Sequence, residues 1–287
     1  MTTTRSIRAE VTPVHTYEGA GFGVFRPFPQ PGLDLLDPFL LLDEMEPRSL
    51  APGAAKGAPD HPHRGFETVT YMLEGEFEHR DSQGNRGTIR SGDVQWMTAG
   101  AGIVHSEIPS ERLQREGGTI HGFQLWVNLP ATDKMITPRY QSLRAEHIPV
   151  VEGDGWRARV ISGTFAGVEG IATTHTPVTY AHVTVDPGAT ARFDLPADHN
   201  VGAYLFRGTP GSPSGRRFVV WQREPGAIEL TASEDAPLDA LVLAGRPLNE
   251  PVARYGPFVM NDRRQLIEAF EDYQSGRMGS IVAEGVA

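Results

Sequence analysis

Glu67-Thr68-Val69-Thr70-Tyr71-Met72-Leu73-Glu74-Gly75 is a run of β-branched and aromatic residues closed by a glycine, and Asn200-Val201-Gly202-Ala203-Tyr204-Leu205-Phe206-Arg207-Gly208 echoes it. Each run has the composition of a buried strand and leads into a turn-rich stretch followed by further strands. Short segments of the same kind recur at Val94-Gln95-Trp96-Met97, Phe123-Gln124-Leu125-Trp126-Val127 and Phe218-Val219-Val220-Trp221. Ser82-Gln83-Gly84-Asn85 and Ser91-Gly92-Asp93 read as turns between them. The pattern predicts an all-β fold built from a duplicated barrel. The polar, proline-containing stretch from Ala131 to Pro149 places the boundary at 138/139, giving units 1–138 and 139–287.

One long helix is expected late in the chain, from Arg263 to Tyr273. Leu266, Ile267, Phe270 and Tyr273 would form its apolar stripe, and Asn261 and Asp262 are its cap candidates. The weakly patterned tail after Met278 is expected to fray.

Composition narrows the function. A net charge of −10 argues against a surface that neutralises phosphates, so nucleic acid is not an expected direct partner. The absence of cysteine removes disulfides, thiolate ligands and cysteine nucleophiles, so any metal must use His, Asp or Glu. The N-terminal residues lack the apolar stretch of a secretory signal, and no run approaches the roughly 18 apolar residues of a membrane span. A cytoplasmic protein without membrane attachment is the expectation.

The stretch richest in chemistry is Asp60-His61-Pro62-His63-Arg64-Gly65-Phe66-Glu67, followed by Gly102-Ile103-Val104-His105-Ser106-Glu107. Strand residues two apart share a face, so His61 and His63 project together, as do His105 and Glu107. Two such pairs on neighbouring strands converge as a three-nitrogen, one-oxygen donor set. That set suits iron, manganese, cobalt, nickel or copper and leaves coordination positions open for water, dioxygen or substrate. Strand parity adds an expectation: Glu67, Val69, Tyr71 and Leu73 share the more apolar face, which should point into the barrel. Glu67 would then lie beside the histidines, with His121 and Phe123 lining the pocket. Spacing alone does not decide whether Glu67 or Glu107 is the ligating carboxylate.

Competing readings are weaker. A lone histidine in a Pro-Gly-rich loop is usually a surface residue, but four matched donors are not a lone histidine. A histidine in the position of His121 is more often a satisfied core residue than a pocket residue. His79-Arg80-Asp81 matches a kinase catalytic-loop triplet without the surrounding motifs. The Glu67 and Glu107 pair could serve glycoside hydrolysis, but three histidines aimed at one space favour a metal centre.

At these residues a family becomes recognisable. His61-Pro-His-Arg-Gly-Phe-Glu-Thr-Val-Thr-Tyr71, Gly92-Asp-Val-Gln-Trp-Met-Thr-Ala-Gly100, Gly102-Ile-Val-His-Ser-Glu107 and Gly122-Phe-Gln-Leu-Trp-Val-Asn-Leu129 resemble the pirin family. So do Tyr255-Gly-Pro-Phe-Val-Met-Asn261 and Tyr273-Gln-Ser-Gly276. The resemblance implies a bicupin, two tandem double-stranded β-helix (jelly-roll) barrels with a C-terminal helix, and a metal only in the first. Carried over position by position, it names His61, His63, His105 and Glu107 as ligands. Glu67 becomes a nearby carboxylate. Apart from the resemblance, Phe66, His121 and Phe123 are expected at the substrate pocket. In the second half His175, His182 and His199 are dispersed and read as structural.

The resemblance implies one divalent transition metal, with iron named first and manganese, cobalt, nickel, copper or zinc admissible. It also implies quercetin 2,3-dioxygenase-like chemistry on an aromatic small molecule with O2, using Glu107 or Glu67 as the catalytic base. The alternative from another class is a redox-sensing or regulatory protein that acts through a protein partner. A cleft that reaches the metal separates the two.

Overall fold

The computed structural model describes residues 3–209 and 215–282. Packing divides the chain into two compact units that exchange segments. One comprises His15–Phe25, Leu42–Ala145 and the stretch from Asn249 onward; the other comprises the stretch up to Val14, Arg26–Leu41 and Glu146–Leu248. The main division therefore falls between residues 145 and 146, and the C-terminal helix belongs to the first of these units rather than to the second half of the chain.

That first unit opposes two antiparallel sheets. The central strands of its larger sheet run in the order Arg139–Leu143, Val94–Thr98, Phe66–Glu74, Gly118–Asn128. The smaller sheet runs Ala58–His63, Ile103–Pro109, Glu76–Asp81, Arg86–Arg90. Met72 and Ile120 of the larger sheet pack with Phe77 and Ile89 of the smaller one, together with Leu113 and Met45. The second unit repeats the plan. Its seven-stranded sheet is ordered Ile7–Val11, Arg217–Trp221, Asn200–Arg207, Leu238–Gly245, Val178–Val185, Trp156–Ser162, Val150–Gly153. The pair Thr190–Asp194 and Ala227–Thr231 adds Phe193, Ile228 and Leu230 to a core shared with Val183, Val201, Val219 and Val242. Two packed jelly-roll layers in each unit are the all-β bicupin expected from the sequence.

The repeated strand explains why the echo is legible. Phe66–Glu74 ends at Gly75 with φ 87°, and Asn200–Arg207 ends at Gly208 with φ 73°. A Cβ would stand 2.6 Å from the Thr119 carbonyl oxygen at the first and 2.0 Å from the Pro237 carbonyl oxygen at the second. Both turns therefore require a left-handed residue without a side chain.

The helix forms at Arg263–Gln274, one residue longer than expected. The Asp262 carboxylate caps it by accepting from the Gln265 backbone N–H at 2.9 Å, and the Gln265 side chain returns to the Asn261 N–H at 2.9 Å. Its buried face carries Leu266 and Ala269, packed with Phe258, Met260, Val104 and Met278, while Phe270 is partly buried there. Ile267 and Tyr273, read as part of the apolar stripe, are exposed, because they lie off the buried face. Met278 is buried, and residues 283–287 of the tail lie outside the described residues. Among the described residues, no helix is long and apolar enough to cross a membrane.

Candidate metal centre

The site is built where Ala58–His63 and Ile103–Pro109 pair antiparallel, with Ile103 opposite His63 and His105 directly opposite His61. Facing positions in such a ladder bring side chains close. The ring centroids of His61 and His105 are 4.3 Å apart, those of His61 and His63 4.7 Å, and those of His63 and His105 5.0 Å. One potential donor atom from each of the three lies within 4.8 Å of the other two. It is the sole group of three or more such donors among the described residues.

The ring nitrogens sort themselves by their partners. A carbonyl only accepts, so His61 Nδ1–H donates to Pro59 O at 2.7 Å and His63 Nδ1–H to Pro257 O at 3.2 Å. In the neutral form of either ring this leaves Nε2 as the lone pair. His105 is fully buried, and neither of its ring nitrogens has a hydrogen-bond partner. A buried imidazole with no partner is costly unless something occupies it. Burial first, and then the charge of the neighbouring histidines, hold His63 and His105 well below the usual histidine range. Both are neutral at neutral pH, the form in which imidazole binds a metal.

Glu107 sits two residues beyond His105, but the ladder to the first strand shifts between them, so that Glu107 faces Ala58. Its carboxylate stands outside the three-histidine group. There Oε1 accepts from Thr70 Oγ1 at 2.6 Å and from Gln95 Nε2 at 2.8 Å. On the neighbouring strand Glu107 is opposite His79 and His105 opposite Asp81. His79 Nε2–H donates to Asp81 Oδ2 at 3.0 Å, and the His79 ring lies 5.5 Å from His105 and stacks on Tyr140 at 4.5 Å. Burial, and then the charge of Glu107, push the Tyr140 hydroxyl up to about 12, so it remains protonated.

These contacts correct the parity argument. Thr70 reaches Glu107, and Phe66 lies 5.1 Å from the His63 ring, so the even-numbered face of Phe66–Glu74 looks into the site. Glu67 is on the opposite face, where Oε1 accepts from Thr98 Oγ1 at 2.7 Å. Phe123 packs with Tyr71 on that same face. His121 pairs with Glu44 at 2.9 Å and lies beside Phe123. The strand is buried on both sides over Phe66–Met72, so the more apolar face need not be the barrel interior. Here the interior carries Thr70, Gln95 and Gln124, the polar groups a site needs.

Sequence reasoning missed Trp126, whose ring lies 5.3 Å from His63 and 4.3 Å from Phe66. It also missed His79 and Tyr140. The signal for Trp126 was its even position in Gly118–Asn128, opposite Thr68. In the second unit His182 pairs with Asp239 at 3.4 Å and His199 with Asp198 at 3.9 Å, and neither belongs to a group of three donors.

A double-stranded β-helix with three convergent imidazoles beside a hydrogen-bonded carboxylate defines a cupin-type protein whose donors fit a single transition ion. Comparison with known proteins is specific about which kind. The pirin family model matches residues 21–127, and the model of the pirin C-terminal cupin domain matches 180–279. A pirin-like protein of Solanum lycopersicum is 43% identical over 270 residues, 91% of this chain and 89% of that protein. A crystal structure described as quercetin 2,3-dioxygenase from Acinetobacter baumannii superposes with a TM-score of 0.90 at 38% identity, covering 98% of this chain and 100% of the other. A bacterial pirin of Escherichia coli in complex with nickel(II), 22% identical, shares the fold with a TM-score of 0.63 over 82% of this chain and 96% of that one. The chain belongs to the pirin family.

Proposed function

We propose that the protein is a mononuclear-metal dioxygenase acting on flavonols such as quercetin, with His61, His63, His105 and Glu107 as the metal ligands. The observation that carries this reading is the convergence of three imidazoles, one of them buried with both nitrogens unpartnered. The likeness to the Acinetobacter baumannii structure described as quercetin 2,3-dioxygenase supports the substrate class. The metal belongs to the unit containing Leu42–Ala145; among its described residues the other unit offers no group of three or more donors.

A divalent transition ion, iron first, supplies Lewis acidity toward a substrate oxygen and redox chemistry toward dioxygen when bound. The protein's own groups do the rest. His61 and His63 are held by their Nδ1–H bonds to Pro59 and Pro257, so their Nε2 lone pairs need no reorientation. Glu107 is the base that takes the proton of a flavonol hydroxyl, leaving an electron-rich ring for dioxygen. Thr70 and Gln95 hold its carboxylate in place. Trp126, partly exposed beside buried Phe66, offers an aromatic face to a planar substrate, and partly exposed His61 and Gln124 lie on the same side.

The test incubates metal-quantified protein with quercetin under oxygen and follows ring cleavage by absorbance and product mass, beside a His63→Ala control. Metal-dependent cleavage lost in the control is expected. Metal-loaded protein that leaves quercetin intact would exclude this substrate and favour the regulatory reading, in which the ion biases a surface for a protein partner.

A further inference from the structure

The C-terminal segment touches the backbone flanking two of the three histidines. Pro257 O accepts from His63 Nδ1–H. The next residue, Arg64, accepts at its carbonyl from the Val259 N–H at 3.1 Å, and its guanidinium donates to Asp272 Oδ2 at 2.6 Å and to Ala101 O at 2.6 Å. The Lys134 ammonium bridges Gly65 O at 2.8 Å and Val259 O at 3.2 Å. On the other ligand strand Val104, adjacent to His105, packs among Phe258, Met260, Leu266, Ala269 and Met278. The Val104 N–H donates to Ser82 Oγ at 3.1 Å, which itself donates to Met278 O at 2.8 Å.

These contacts have one anchor that involves paired charge. Arg64 is buried, and Asp272 lies on the Arg263–Gln274 helix, so their ion pair fastens the helix to the residue next to His63. The orientation of a metal-binding imidazole is set by what its second nitrogen bonds. For His63 that partner is the Pro257 carbonyl, whose position depends on the docking of Phe258, Val259 and the helix that follows.

We propose that Asp272, acting through Arg64, is a positioning residue for the metal site, and that ion binding and docking of the C-terminal helix are coupled. The proposal rests on the metal reading of His61, His63 and His105, not on any substrate. If the ion binds more tightly when the helix is docked, the ion strengthens docking by the same factor. A merely structural ion pair would alter the stability of the whole unit without this reciprocity.

The test uses the full chain and Ni2+, an ion that imidazole donors bind well. Affinity is measured by competition with a chromophoric chelator for the parent, Asp272→Asn and the conservative Asp272→Glu. Hydrogen exchange of residues 258–278 is followed in the parent with and without Ni2+. The expected result is a loss of about tenfold to a hundredfold in affinity for Asp272→Asn, the usual range for residues that orient ligands. Asp272→Glu should recover most of it, and exchange in 258–278 should slow on loading. Affinities within twofold across the three proteins, or identical exchange with and without Ni2+, would overturn the coupling. If Asp272→Asn does not fold, the exchange comparison in the parent decides alone. A parent that binds no Ni2+ would overturn the metal reading and this proposal together, whereas failure to cleave quercetin with Ni2+ affinity intact bears only on the substrate.

Discussion

The Thr70 hydroxyl donates to the Glu107 carboxylate at 2.6 Å, joining a strand of the larger sheet to the strand that carries His105. With Gln95 Nε2 on the same oxygen, it fixes Glu107 from the side opposite the smaller sheet. Hydrogen bonds to a charged group contribute about 1.5–3 kcal/mol each, more than neutral ones.

Removing that bond should therefore be felt in turnover. Thr70→Val keeps the volume of the side chain and deletes the hydroxyl. A loss of about ten- to a hundredfold in kcat/KM on quercetin is expected, from the magnitude of one such bond. Metal content, measured on the same samples, should stay near one ion per chain.

Glu67 should be dispensable to the chemistry. Its carboxylate bonds Thr98 on the face away from Glu107, so Glu67→Gln is expected to retain metal affinity and kcat within about threefold, the scale of an effect that does not touch reacting atoms. Glu107→Gln should lose both by more than tenfold. Side-by-side metal titration and turnover of the two variants separates the carboxylates that spacing alone left open.

Acid should weaken the metal-free protein through the buried histidines. Burial holds His63 and His105 well below the usual value of 6.5, so between that value and their folded values the unfolded chain binds protons that the folded chain does not. Stability contributed this way is complete above 6.5 and falls as pH drops, by up to about 1.4 kcal/mol per pH unit for each histidine. Denaturant midpoints of the metal-free protein from pH 7 to 5 should slope accordingly, and His105→Gln should show a shallower slope.

Trp126→Ala should raise KM for quercetin and spare metal binding. The indole contacts Phe66 and His63 but offers no ligand atom, so its loss removes an apolar face worth about 1–3 kcal/mol. Steady-state kinetics with metal quantification checks this, and an unchanged KM would remove Trp126 from the substrate's path.

How much of this was legible in the sequence depends on which contacts are local. The spacing of His61 and His63, with His105 on a second strand, is enough to bring three imidazoles together, because facing positions on paired strands converge. The helix was legible from Asp262 and its apolar residues, apart from Ile267 and Tyr273, which are exposed because Leu266 and Ala269 carry the buried face. The face of Phe66–Glu74 was misread because hydrophobic parity marks the interior only when the other face meets water. Here both are buried, and the site needs Thr70 and Gln95 inside. The shift between His105 and Glu107 carries no signature in the residues themselves. Pro257 and Tyr140 reach the site, and Asp272 reaches Arg64 beside it, through pairings across long stretches of chain, which periodicity does not report.

The most direct test is a crystal structure of protein loaded with one equivalent of Fe2+ or Ni2+, with anomalous scattering locating the ion. One peak bonded to a nitrogen each of His61, His63 and His105 and to a carboxylate oxygen of Glu107 is predicted. A peak elsewhere in the chain, or three histidines left without an ion at full loading, would contradict the account.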